Sequence, residues 1–348
     1  MTEDVLFEQR GKAGLITLNR PQALNALTLE MVRAIAAQLD VWDRDPAVTR
    51  ILLRGAGGKA FCAGGDIRKV YESGETRGRT GDAEQTRFFA EEYTLNARIK
   101  ASPRPWISLI DGIVMGGGVG LSVHGSHRIG TEKTLFAMPE TGIGFFPDVG
   151  GSYFLPRLPG GIGLYCALSA ARLKQADALH AGVLTHAVAS DALPALGEAL
   201  VTAEDIEATI AAHAMEPGEA PLAAVAGEIA RIFTQPTLAA VLAALNAAEG
   251  AFADSTRQAI ASKSPTSLAL TFEQLQRGAG LDFNACMRME FRIVSEILKH
   301  GDFYEGVRAV LIDKDNAPRW SPERLDQVDS AALGAYFGEP AGGDLPLA

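Results

Sequence analysis

At 348 residues the chain is long enough to bury a large core, as one sizeable domain with an appendage or as two domains. Its hydrophobic content of 47% with 21% charged residues is that of a soluble globular enzyme. A formal net charge of -10 argues against general nucleic-acid binding, which requires a basic face, but leaves room for a local basic patch that meets an anionic small ligand.

The N-terminal run "MTEDVLFEQRGKAGLITLNRP" has neither an apolar signal core nor Arg/Ser-rich transit character, and no uninterrupted apolar stretch reaches the length of a membrane span. Cys62, Cys166 and Cys286 are odd in number and widely spaced, which suits neither a disulfide framework nor a zinc site and points to a reducing compartment. The expectation is a cytoplasmic protein without a membrane partner.

Within the opening run, "VLFEQRGKAGLITLN" reads as a hairpin turning at Gly11 to Gly14. Thr28 then caps a helix whose face carries Met31, Ile35, Leu39 and Trp42. "VTRILLRG" reads as a buried strand and "RPWISLIDGIVM" as another. Between them the polar "RTGDAEQ" is expected to be a mobile loop, followed by a helix with Phe88, Leu95 and Ile99 on one face. Glu92 falls on that face. It is either an edge-of-stripe residue with its carboxylate in water or an acid pointed into a site.

"GAGGKAFCAGGDI", residues 55–67, follows a strand but lacks the third glycine of a dinucleotide fingerprint, with Ala60 in its place. There is no phosphate-loop GK[ST], HExxH or G-x-S-x-G element. His124 and His127 are three apart but have no apparent carboxylate partner nearby, so no metal site is assigned. "AGGD" and "MGGGVG" let backbone approach a ligand closely, and the second follows a strand and opens a helix. Such glycines serve either tight packing or an oxyanion hole of two N–H groups. Glu140 and Asp148 then stand eight residues apart in "FAMPETGIGFFPDVGG", with no Lys, Arg or His from Thr134 to Pro156. Burial among such apolar neighbours would push both acids upward in pKa.

From about Asp191 the pattern becomes Ala-rich and amphipathic, so a boundary is expected near residue 190. The expected organisation is a core over 1–190, a mainly helical region packed on it over 191–340, and a disordered tail over 341–348.

Three motifs, "LNRPQALNAL", "FCAGGDI" and "GIVMGGGVGLS", resemble in order and spacing the enoyl-CoA hydratase (crotonase) superfamily. Within it the chain is similar to the 3-hydroxyisobutyryl-CoA hydrolases, through "EEYTLN", "GLSVHG", "FAMPETGIGFFPDVGGSYFLPRL" and "FYEGVRAVLIDKDNAPRW". The resemblance implies an α/β fold, a crotonase-like spiral of ββα units with a helical C-terminal region. It implies oxyanion-hole donors at Gly65 and Gly117, and CoA contacts along Ala63, Gly64, Gly65, Asp66 and Ile67. Arg54 and Lys59 are near enough in sequence to meet the CoA phosphates, although solvated surface charge is the plainer reading of both.

Glu140 matches one of the two glutamates of the hydratases, but Gly120 occupies the position of the other, which counts against water addition by a glutamate pair. Glu92, Gly117, Glu140 and Asp148 match the substrate-lining positions of the hydrolases, with Glu140 and Asp148 catalytic. The implied reaction is hydrolysis of a short 3-hydroxyacyl-CoA thioester, 3-hydroxyisobutyryl-CoA in valine catabolism, with no metal or redox cofactor. The alternatives are a hydratase or isomerase of the same fold and a non-catalytic acyl-CoA-binding protein. Relatives of this fold often form trimers or hexamers, so a homo-oligomer is compatible with the resemblance.

Overall fold

Short strands separated by glycine turns set the architecture of the protein, which a computed structural model describes over residues 3–347. In chain order the strands are β1 (Val5–Arg10), β2 (Ala13–Leu18), β3 (Arg50–Gly55), β4 (Ala60–Cys62), β5 (Trp106–Ile110), β6 (Ile113–Met115), β7 (His127–Gly130), β8 (Leu135–Ala137), β9 (Leu173–Lys174) and β10 (His186–Ala187). Six make a sheet in the order β1-β2-β3-β5-β7-β10 and four make a second in the order β4-β6-β8-β9. The successive pairs β3/β4, β5/β6 and β7/β8 each leave one strand in each sheet, which is the expected spiral of ββα units.

The chain folds as two compact units, each assembled from separated segments. The first takes Met1–Gly65, Leu95–Ala137 and Arg172–Ala224, and holds both sheets. Its hairpin pairs Val5 with Leu18 and turns at Gly11, whose φ of 53° only glycine adopts freely. Thr28 caps the helix Leu29–Trp42 by accepting from the Met31 N–H at 3.2 Å. Met31, Ile35, Leu39 and Trp42 are all buried, as their spacing predicts. Trp42 lies so close over Gly14 that a Cβ there would stand 2.7 Å from its ring. A contiguous core joins Leu15, Leu52, Ile107, Leu109 and Ile129 to Leu193, Leu196 and Leu200 of the helix Leu193–Thr202. That packing keeps residues up to Ala224 with the sheets, so the boundary near residue 190 does not coincide with the division of the structure.

"RPWISLIDGIVM", expected as one strand, breaks at Gly112, and its halves join different sheets. Gly112 has φ 97°, and a Cβ there would sit 2.4 Å from the Lys59 carbonyl oxygen. The close crossing that separates β5 from β6 therefore requires glycine.

The second unit takes Asp66–Thr94, Met138–Ala171 and residues from Val225 onward. Its C-terminal part forms the expected helices, among them Pro265–Gly278, Phe283–Ile297 and Gly301–Val307. Ser264 and Asp282 cap the first two. Phe145 is a hub of its packing, with ring centroids 5.5 Å from Phe89, 4.7 Å from Phe146 and 5.5 Å from Phe303.

Two segments expected to be loose are tied down. In "RTGDAEQ" the Gln85 amide accepts from the Thr80 and Gly81 N–H groups at 3.1 and 2.9 Å and donates to the Gly78 carbonyl at 2.5 Å. Of the tail, Asp344 accepts from Arg292 Nε at 2.7 Å and Leu345 is buried, while residue 348 lies outside the described residues. Local polarity could not reveal the Arg292 partner, which lies 52 residues upstream of Asp344.

Among the described residues no helix is long and apolar enough to cross a membrane. Among the described residues Cys62, Cys166 and Cys286 are all buried and form no disulfide.

Candidate active site

In the first unit the candidate groups are backbone amides. β4 delivers the chain into Ala63–Gly65, where Leu27 donates to the Gly64 carbonyl at 2.9 Å and Gly65 bridges to Leu27. Gly64 has φ 125°, a conformation that L side chains rarely adopt. β6 delivers Gly116, with φ 46°, and Gly117 is the first residue of the helix Gly117–Ser122. The Gly116 carbonyl accepts from Val119 and Gly120, which opens the helix and leaves the Gly117 N–H outside its hydrogen-bond ladder. Among the described residues neither the Gly65 nor the Gly117 N–H donates to a protein group. Gly118, one residue further on, would bring a Cβ within 2.3 Å of the Cys62 carbonyl, so this glycine serves close packing. The packing reading of the glycine runs therefore holds at Gly118, beside a Gly117 N–H that has no protein acceptor among the described residues.

In the second unit the candidate groups are side chains. The helix Arg87–Lys100 carries Glu92 and Tyr93, the turn Glu140–Ile143 opens on Glu140, and Asp148 precedes the short helix Gly151–Phe154. Glu92, Glu140 and Asp148 are 2%, 5% and 5% exposed. Phe88, Leu95 and Ile99 are buried on the Glu92 face, and Glu92 is buried with them rather than at the solvent edge. Its Oε1 and the Oε2 of Glu140 are buried without a hydrogen-bond partner. Asp148 Oδ2 accepts from the Tyr93 hydroxyl at 2.8 Å.

Desolvation drives the titration of these groups. It holds Glu92 and Glu140 well above the ordinary carboxyl range, and the charge of Asp148 adds to both effects. Asp148 is itself pushed up to about 7 by burial, against the Tyr93 hydrogen bond, which favours its ionised form. The result is a set of interacting acids in which ionisation of one makes ionisation of the next harder.

A fourth acid lies beside them. Glu290, on the helix Phe283–Ile297, is fully buried and accepts from Gly150 N–H at 2.8 Å, from Ser152 N–H at 2.9 Å and from the Ser152 hydroxyl. Burial raises it to about 8, opposed by those donors. Each hydrogen bond to a charged group contributes about 1.5–3 kcal/mol, which offsets part of the cost of burying the charge.

Sequence reasoning missed Tyr93 and Glu290. Their signals were an aromatic hydroxyl beside Glu92 and an acid on a helix face shared with Met287 and Val294, the same pattern that singled out Glu92. His127, considered as a metal ligand, pairs instead with Glu207 at 2.8 Å, a partner 80 residues away. No group of three or more His, Cys, Asp or Glu suited to a metal occurs among the described residues. Arg54, a candidate for CoA phosphate, donates to the Thr17 hydroxyl at 3.0 Å and lies 4.0 Å from Glu8.

Comparison with known proteins agrees with this architecture. The enoyl-CoA hydratase/isomerase family model matches residues 13–337. The mitochondrial 3-hydroxyisobutyryl-CoA hydrolase of Xenopus tropicalis is 45% identical, aligned over 99% of this chain and 91% of its own. The human protein of the same name is 43% identical over 99% and 90%. Two crystal structures superimpose closely. A carnitinyl-CoA dehydratase from Mycobacterium thermoresistibile has a TM-score of 0.92 and 42% identity, covering 98% of each chain. An enoyl-CoA hydratase from Rhodobacter sphaeroides has a TM-score of 0.91 and 38% identity, covering 99% of this chain and all of its own. The chain belongs to the enoyl-CoA hydratase/isomerase family, with the crotonase fold, and to the branch of it that includes these 3-hydroxyisobutyryl-CoA hydrolases.

Proposed function

We propose that the protein hydrolyses short 3-hydroxyacyl-CoA thioesters, with 3-hydroxyisobutyryl-CoA as the substrate and 3-hydroxyisobutyrate and CoA as products, as in valine catabolism. The observation that carries this reading is the buried Glu140 carboxyl with one oxygen unpartnered. A buried polar atom without a partner is costly, and it is suited to a ligand that supplies one.

In this reading the N–H groups of Gly65 and Gly117 hold the thioester carbonyl oxygen and stabilise the oxyanion that forms on it. Glu140, once ionised, takes a proton from water as the water oxygen bonds to the acyl carbon. The C–S bond then breaks, and CoA leaves as a thiolate that is protonated to the free thiol. Attack by Glu140 itself through an anhydride gives the same products and is the alternative route. Asp148 and Glu92 orient the 3-hydroxyl and the acyl group. Thiolate is a good leaving group, so this chemistry needs no metal or redox cofactor. CoA binds along Ala63–Ile67. Because desolvation pushes the Glu140 carboxyl well above the ordinary carboxyl range, turnover rises as pH climbs through the range in which the acid cluster ionises.

Hydration of an enoyl-CoA is the second reading, favoured by the descriptions of the two solved neighbours. Gly120, at the position of the second hydratase glutamate, weighs against it. A panel of acyl-CoAs assayed for free thiol and for enoyl absorbance separates the two. Thiol release that is highest with 3-hydroxyisobutyryl-CoA is expected, whereas a change of enoyl absorbance without thiol release would overturn the hydrolase reading. Absence of both would favour a non-catalytic acyl-CoA-binding protein.

Three buried cysteines outside any disulfide point to a reducing compartment and so support a cytoplasmic location, although the relatives' names place those proteins in mitochondria. Homo-oligomerisation is likewise part of the proposal, carried by resemblance.

A further inference from the structure

Of the acids Glu92, Glu140, Asp148 and Glu290, the first three differ from the fourth in how their oxygens are used. Glu92 and Glu140 each keep a partnerless oxygen, and Asp148 takes a single side-chain hydroxyl. Both oxygens of Glu290 are occupied, and every donor comes from the turn that follows Asp148. A carboxylate so engaged has no free oxygen to offer an acyl group or a water.

That turn is an improbable one for its sequence. Val149 adopts φ 52° and Gly150 φ 87°, two successive residues in positive-φ conformations, the first of them β-branched. A valine stays in that region only where its surroundings fix it. The surroundings are side chains of the C-terminal helices. Glu290 binds the Gly150 and Ser152 N–H groups, and Gln274, fully buried on the helix Pro265–Gly278, donates to the Pro147 carbonyl at 2.6 Å. Gly278 brings that helix so near that a Cβ would stand 2.1 Å from the Ser152 carbonyl oxygen. The backbone is thus held on both sides of Asp148.

We propose that Glu290 is a positioning residue for Asp148, fixing the 148–152 turn through Gly150 and Ser152 while Gln274 fixes Pro147, so that the C-terminal helices set where the Asp148 carboxylate stands. The assignment of Asp148 to the reaction rests on the hydrolase reading above; the hold on the turn does not.

The test measures thiol release and amide hydrogen exchange on the full-length protein. Glu290→Gln turns one acceptor oxygen into an amide N–H that opposes the turn donors. The expected result is a kcat about 10²-fold lower with KM little changed, because misplacement of a reacting group by about an ångström costs that much. Faster exchange at the Gly150 and Ser152 amides is expected with it. Gln274→Leu, which keeps every charge, gives the same kcat-only signature at about tenfold, and it carries the test if Glu290→Gln does not fold. Folded variants with wild-type kcat, even if their melting temperature falls, would show that Glu290 only stabilises the fold and would overturn the proposal. If wild-type protein releases no thiol from any acyl-CoA, the hydrolase reading fails instead. Exchange at Gly150 and Ser152 then decides the hold on its own, an unchanged rate in Glu290→Gln overturning it and a faster rate supporting it.

Discussion

In the first unit the candidate groups are the amides of Gly65 and Gly117, placed by a strand end and a helix start and independent of any side chain. In the second they are the buried carboxyls of Glu92, Glu140 and Asp148, of which Asp148 accepts from the Tyr93 hydroxyl. Backbone donors keep the same charge at every pH. The acids have an ionisation state that depends on burial and on one another. One unit therefore offers a fixed electrostatic feature and the other an adjustable one, and the two should fail differently when altered.

The sharpest way to break the second is Glu140→Gln. It is isosteric but cannot accept a proton as a carboxylate does, so turnover is expected to drop ~10²–10⁴-fold. Folded protein with near-wild-type thiol release would remove Glu140 from the mechanism. The matching change in the first unit is Gly117→Pro, which deletes the N–H at a first helical position where proline is well tolerated. A loss of ~10²–10³-fold is expected with an unshifted pH profile, since no titrating group is altered. A profile that moved with it would mean that the two units are not separable in this way.

The smallest effect concerns stability. Asp148 is raised from its ordinary value to about 7, so the folded state holds its proton where the unfolded chain has lost it. Its contribution is therefore most favourable below the unfolded value near 3.8 and is lost as pH rises through about 7. Asp148→Asn should stabilise the protein by about 1–2 kcal/mol at pH 8 and by little at pH 4, while lowering activity. Chemical denaturation at the two pH values measures the difference, and equal stabilisation at both would refute the assigned ionisation.

Much of the first unit was legible in the sequence because its determinants are local. The Gly11 turn, the Thr28 cap and the Met31–Trp42 stripe are each decided within a few residues. The break at Gly112 was not legible, because its cause is the Lys59 carbonyl, over fifty residues upstream. The same distinction holds at the site. Glu140 and Asp148 stood out as acids without nearby cations, whereas Glu92 remained ambiguous, since helical spacing gives the face a residue lies on but not how deeply that face is covered. Glu290 showed only as an acid in an apolar stripe. Its role depends on Gly150 and Ser152, about 140 residues earlier in the chain.

That separation also bears on synthesis. A ribosome releases the chain from its N-terminus, and Gly150 and Ser152 emerge long before the helix Phe283–Ile297. Until that helix exists, the Gly150 and Ser152 amides lack the Glu290 carboxyl as their acceptor. Neither unit is a continuous stretch of sequence, and the second cannot be completed until residues from Val225 onward have followed the last segment of the first. The acid cluster is therefore assembled only in the last sixth of translation, and a nascent chain that stalls after Ser152 but before residue 290 carries both glycine amides and three of the four acids but lacks the residue that holds the turn after Asp148.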